Sequence, residues 1–428
     1  MTFTTPNDRV FYACQAVMFE TGNTESNPST PSAGGSPTFL TGVSSVGISA
    51  TTPSESLLDI GKFQQKFHYY GQQEIEITIE RTIDSASNLF YTSDGAYGTS
   101  KYTSLHLLSQ GNLGVQGAAD GDGKTLRNYH ITLLYGADEY SRLGSDIAYG
   151  GDADKVLSTV YPNCLLTSIS YNMSVDGPMT ESITLVTKAS TYSSSVALSS
   201  YNLPAKSTAQ SGDLIKRTDF DFNSGDILLP EEVTTMFDMS TTLDGKKILG
   251  INSIEINIGI EYNELPDVGV WRGGSDTSEP ETPDRTVSRT EADGQHEQNR
   301  WRMVNLPIQI TASFTGTARQ QYPASMPNRA ALFSASDGSE AAIFGKYDEW
   351  TKVDRKIRLA AEKAPSGITK YFIWDLGERN YLTDISVSGG DGGGGNVETT
   401  MTYQNDCSDA ILIKTDTVVD IAYPSIPF

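Results

Sequence analysis

The stretch that comes nearest to a phosphate cradle is Ala118-Ala119-Asp120-Gly121-Asp122-Gly123-Lys124-Thr125. A cradle of that kind needs a glycine at its first position so that backbone amides can turn toward the phosphates, and Ala118 stands there. Asp120 and Asp122 would also repel a triphosphate, so the stretch reads as a turn. The same two aspartates could open a calcium loop, but the next oxygen ligand, two positions on, is replaced by Lys124. The four histidines, His68, His106, His130 and His296, include no pair three or four residues apart that could share a metal. No Gly-x-Ser-x-Gly elbow presents a nucleophile, and no spacing singles out a catalytic pair among the many carboxylates. The expectation is a protein that is not an enzyme and carries no cofactor or metal.

Cys14, Cys164 and Cys407 are odd in number and far apart, with no Cys-x-x-Cys pair, and read as buried free thiols. The aromatic set Phe63, Phe67, Tyr69, Tyr70, Trp271, Trp301, Tyr371, Phe372 and Trp374 could stack on sugars or bases, although core and interface packing is the stronger expectation. Trp271 and Trp301 flank a long acidic loop with Arg272, Arg300 and Arg302 beside them. Trp and Arg together are the residues that anchor protein interfaces, so these five are the candidate interface.

Any such site must be carried by strands, because the recurring pattern is alternation with period two, which puts successive side chains on opposite faces. From Gln73 to Ile79, Ile75, Ile77 and Ile79 oppose Glu74, Glu76, Thr78 and Glu80; from Ile254 to Ile260, four isoleucines oppose Glu255, Asn257 and Glu261. Further strands are expected at His130–Tyr135, Leu165–Val175, Ser182–Lys188, Leu306–Phe314, Lys370–Leu376, Leu382–Ser388 and Val397–Tyr403. Short helices are expected at Ser104–Ser109, Ala330–Ser336 and Lys352–Lys363, the last stopping before Pro365.

These elements recur in one order. Strand Gln73–Ile79, the helix near Leu105, strand His130–Tyr135 and hairpin Leu165–Lys188 match strand Leu306–Phe314, the helix near Leu332, strand Lys370–Leu376 and hairpin Leu382–Tyr403. At 428 residues the chain exceeds one ordinary core, so two related all-β domains are expected, 1–205 and 206–428. Gly22–Pro37, Tyr192–Gly212, Asn263–Arg300 and Gly389–Gly395 read as loops, the second as the linker between domains and the third as a segment that orders against a neighbouring subunit.

The net charge of −22, from 53 acids against 31 bases, argues against a surface that grips phosphates. The N-terminal residues carry no basic start or apolar stretch of a signal peptide, which implies assembly in a cytoplasm.

With this element order, the chain resembles the tail tube proteins of long-tailed bacterial viruses, in particular those with two tube domains per polypeptide. The resemblance rests on Gln73–Glu80, Ser104–Ser109, Asn163–Ser170, Leu306–Phe314 and Tyr371–Leu376, and the long acidic loop departs from the minimal tube domain. It implies tandem curved β-sandwich or half-barrel domains whose inner sheets join across subunits, rings stacked into a tube in the virion tail, and a trimeric ring where single-domain relatives form hexamers. The partners implied are further copies of the chain, other tail proteins, and viral DNA that passes without specific binding; no membrane is involved. Glu74, Glu76, Glu80, Glu255 and Glu261 are the candidate acids lining the bore. Related readings are a tail-tip or baseplate ring protein, or an injection-system tube. A carbohydrate-binding β-sandwich is the reading from a different class, and a polysaccharide-cleaving enzyme is third.

Overall fold

A computed structural model of the protein describes residues 10–22, 38–57, 67–70, 73–84, 128–137, 155–188, 190–197, 227–229, 233–237, 246–248, 251–264, 302–317, 356–363, 370–377, 379–388, 398–406 and 411–415. Among them every regular element is a β-strand. The first ten are β1 (Val10–Gly22), β2 (Thr38–Phe39), β3 (Val43–Thr51), β4 (Ser54–Leu57), β5 (Phe67–Tyr70), β6 (Glu74–Thr82), β7 (Asn128–Ala137), β8 (Lys155–Ser174), β9 (Thr180–Thr187) and β10 (Thr191–Ala197). The rest are β11 (Val233–Phe237), β12 (Lys246–Ile248), β13 (Ile251–Glu264), β14 (Arg302–Thr317), β15 (Ile357–Lys363), β16 (Lys370–Asp375), β17 (Tyr381–Ser388), β18 (Glu398–Asn405) and β19 (Ile411–Thr415).

Alternation explains why these segments extend. From Ile75 to Ile79 in β6 and from Ile254 to Ile260 in β13 every second residue is isoleucine, a β-branched side chain that fits a pleated surface and is buried here, while the intervening positions are exposed or half-exposed. Burying each such side chain stabilises the fold by about 1.5–3 kcal/mol.

All named strand pairs are antiparallel, and they form two kinds of sheet. The first has the order β3-β6-β9-β8-β13-β14-β18-β17. β8 is long enough, at 20 residues, to serve twice: its second half belongs to this sheet, while its first half pairs with β7 and β10 in the order β10-β8-β7-β1-β2. A separate five-stranded sheet runs β19-β16-β15-β11-β12.

Laid side by side, the two halves of the chain have one topology. β3-β6-β9-β8 and β13-β14-β18-β17 both place the third of their four strands, in chain order, outside the fourth. The five-stranded sheet β19-β16-β15-β11-β12 repeats β10-β8-β7-β1-β2, with β16 and β17 as separate strands where β8 is continuous. The likeness extends to irregularities. Leu166-Thr167-Ser168-Ile169-Ser170 and Leu382-Thr383-Asp384-Ile385-Ser386 each carry a bulge at the threonine, and Thr167 and Thr383 donate from their side chains to the carbonyls of Thr184 and Thr402, at 3.1 and 3.0 Å. A second matched register shift lies between Val43 and Ser45 in β3 and between Ile251 and Ser253 in β13. The β4–β5 hairpin is an addition between β3 and β6.

Several expectations are corrected. Lys352–Lys363 is not a helix from Ile357 onward: those residues are β15, a strand held between β11 and β16, whose backbone bonds prevail over its helix-compatible composition. It follows that the partner of β7 in the repeat is β15, and not the strand at Lys370–Leu376. Tyr192–Ala197 belongs to β10, so the stretch Tyr192–Gly212 does not begin as a linker, and Asn263 and Glu264 still belong to β13 rather than to the long loop. The helices expected at Ser104–Ser109 and Ala330–Ser336 lie outside the described residues.

The core is continuous from one half to the other. Tyr171 on β8 meets Trp374 on β16 edge-to-face at 5.7 Å, and Trp374 stacks on Phe372 at 6.4 Å. Phe372 and Trp374 are thus interior residues, and neither offers a platform for sugars.

Candidate functional site

The eight-stranded order creates a broad polar face, because the outward residues of each strand come into line with those of the next. One line across it reads Ser45, Glu80, Ser182, Ser170, Asn257, Thr311, Gln404. The neighbouring lines read Thr82, Thr180, Asn172, Glu255, Ser313, Thr402, Asp384, and Gly47, Thr78, Thr184, Ser168, Gly259, Gln309. None of these positions is lysine or arginine.

All five acids singled out in the sequence fall on this face and are exposed: Glu74, Glu76 and Glu80 on β6, Glu255 and Glu261 on β13. Small polar neighbours orient three of them. Ser45 donates its hydroxyl to Glu80 Oε2 at 2.8 Å, Asn257 Nδ2 donates to Glu255 Oε1 at 2.9 Å, and Asn305 Nδ2 donates to Glu261 Oε2 at 3.2 Å. Hydroxyl pairs Ser313–Thr402 (3.1 Å) and Thr315–Thr400 (2.9 Å) tie β14 to β18 on the same face. Such a surface offers acceptors, hydroxyls and fixed negative charge, which suit a polyanion kept at a distance rather than held.

Beneath it the interior contains charge that the sequence reading did not mark. Arg81 and Glu181 stand opposite each other on β6 and β9, form an ion pair, and are wholly buried. On the five-stranded sheet Arg358 Nε donates to Asp375 Oδ2 at 2.7 Å, and Asp375 Oδ1 accepts from the Gly377 amide at 3.1 Å. Parity could have found the first pair, since Arg81 continues the apolar series Ile75, Ile77, Ile79 and Glu181 precedes Ile183 and Leu185. Burial, and then the neighbouring Glu181 carboxylate, hold the Tyr171 hydroxyl well above its ordinary pKa.

Of the candidate interface residues, Trp271, Arg272, Arg300 and Trp301 lie outside the described residues, and Arg302 is the first residue of β14, opposite Glu264. Among the described residues no group of three or more His, Cys, Asp or Glu is placed to hold a metal ion.

No family model matches this chain, and no curated protein matches it. A solved structure to which it is similar is the tail of an empty GTA particle with C6 symmetry, at 10% identity, over 41% of this chain and 90% of that one, with a TM-score of 0.21. A likeness of that degree carries no argument for what this chain does.

Proposed function

We propose that the chain is a structural protein of a bacterial-virus tail, which assembles with copies of itself as stacked rings into the tail tube. Its two halves, 1–205 and 206–428, act as two tube units, so that a ring takes three chains. The observation that carries this reading is the polar face of the eight-stranded sheet, on which five exposed glutamates stand and no lysine or arginine occupies the three central lines. Turned inward, it would line a bore through which DNA passes without adhering. The role is mechanical and electrostatic rather than catalytic.

Negative-stain microscopy of the overexpressed chain tests this. Long hollow filaments with a uniform bore are expected. Finite rings would move the assignment to a tail-tip or baseplate component, and dispersed monomers at high concentration would overturn it.

A further inference from the structure

One line on the inward side of the eight-stranded sheet ends in polar residues. Across β6, β9, β8, β13, β14 and β18 it reads Arg81, Glu181, Tyr171, Ile256, Ala312, Tyr403. Its polar end is sealed from water: Arg81 is 1% exposed, and Glu181, Tyr171 and Trp374, which meets Tyr171 from β16, are 0% exposed.

Arg81 Nε donates to Glu181 Oε2. That leaves Glu181 Oε1, Tyr171 Oη and Trp374 Nε1, three buried atoms that make no hydrogen bond of ordinary length and angle. They nonetheless converge on the hydroxyl. Burial holds the Tyr171 pKa well above its ordinary value, and the Glu181 carboxylate raises it further, by its charge and as a hydrogen-bonding neighbour; the Arg81 charge and the hydrogen-bonding Trp374 indole lower it. An indole N–H can only donate and an ionised carboxylate can only accept, so of the three the hydroxyl alone can serve both neighbours. Buried groups of this kind are costly when left unpaired. We infer that they close into one directed relay, Trp374 Nε1–H donating to Tyr171 Oη and the Tyr171 hydroxyl donating to Glu181 Oε1, and that this relay fixes where the five-stranded sheet seats on the eight-stranded one.

Placement gives the relay that role. Arg81, Glu181 and Tyr171 belong to the first half of the chain and Trp374 to the second, so its last link crosses between them. The second four-strand set has no counterpart: the positions equivalent to Arg81, Glu181 and Tyr171 are Gly316, Thr399 and Val387. Two sets of one topology offer a sheet two similar surfaces, which apolar contact alone separates poorly, and a buried polar group that finds its partner on only one of them selects that one. A five-stranded sheet seated on the second set would find valine at 387 where the first set supplies the Tyr171 hydroxyl.

The inference is independent of the tube reading. Its test is magic-angle-spinning NMR of the full chain labelled with 15N-tryptophan, which reads filaments and single chains alike. Four tryptophans give four indole N–H signals, and the one missing from Trp374→Phe belongs to Trp374. In the parent that signal should lie downfield and exchange slowly with D2O. Tyr171→Phe keeps the ring and removes only the hydroxyl, so the signal should move upfield, and amide exchange in β15 and β16 should quicken while β13 and β14 keep the parent's rate. In urea, Tyr171→Phe should lower the folding equilibrium constant by roughly 5- to 150-fold, the range for orphaning a buried polar group. The double variant with Trp374→Phe should lose less than the product of the two single losses, because both break one link. An indole signal that Tyr171→Phe leaves in place, or losses that multiply independently, would overturn the relay. Quickened exchange spread equally over both sheets would overturn its role in seating them. Should neither variant fold, the parent decides: an upfield Trp374 signal would overturn the proposal and a downfield, slowly exchanging one would support it.

Discussion

Arg81 and Glu181 are 100 positions apart in the chain, and their side chains are fully buried against each other. Two such charges out of water are tolerated only together, so removing one leaves the other uncompensated. Arg81→Met should therefore destabilise the protein by about 3–5 kcal/mol, whereas replacing both residues by apolar ones should recover much of the loss. Urea denaturation of the two variants measures this, and a near-neutral single variant would show that the pair does not hold β6 to β9. Cys164 follows the opposite logic. It is buried, donates weakly to the Tyr161 carbonyl at 3.2 Å, and burial raises its thiol pKa to about 12, so it is an inert core residue as its isolation in the sequence implied. The side chains of Cys14 and Cys407 lie outside the described residues.

Among the elements, the entry into β3 is tightly constrained. Gly42 has φ = 71°, its carbonyl accepts from the Thr82 amide at 2.9 Å, and a Cβ there would sit 2.3 Å from the Thr82 carbonyl oxygen. Neither the backbone conformation nor the space admits a side chain. Gly42→Ala should cost at least about 1–3 kcal/mol from backbone strain alone and loosen β3 from β6. A thermal melt gives the first quantity, and amide exchange in β3 and β6 gives the second; a variant with unchanged exchange would argue that the edge strand is anchored elsewhere. The paired bulges at Thr167 and Thr383 are the element-scale mark of repetition, because each turns the strand at the same point with the same hydroxyl-to-carbonyl bond.

For the whole molecule, the acidic face is the property to test. Changing Glu74, Glu76, Glu80, Glu255 and Glu261 together to glutamine keeps size and hydrogen bonding but removes five of the 53 acids. All five are exposed, so folding and assembly should be unchanged. DNA release from virions built with this variant should slow, and the difference from the parent should shrink at about 1 M salt, where screening cuts the reach of a charge to roughly 3 Å from about 8 Å at physiological strength. Release kinetics followed with a DNA-binding dye would decide it: identical rates at low salt would mean that the face does not meet DNA.

Strand character and the choice of face were legible in the residues themselves. Period-two isoleucines with glutamates between them can be satisfied only by a sheet with one wet side, and so all five acids could be marked before any pairing was known. The composition of Ile357–Lys363 was ambiguous, because Ile-Arg-Leu-Ala-Ala-Glu-Lys suits a helix as well as a strand. What settled it was burial between two neighbouring strands and the match of Arg358 to Asp375 across one of them. Which strands adjoin, where the bulges fall, that Arg81 meets Glu181, and that the two four-strand sets share one sheet through β8 and β13 were decided only by the tertiary structure. Each depends on closing long loops between distant segments, and local alternation carries no information about which distant partner will supply the missing hydrogen bonds.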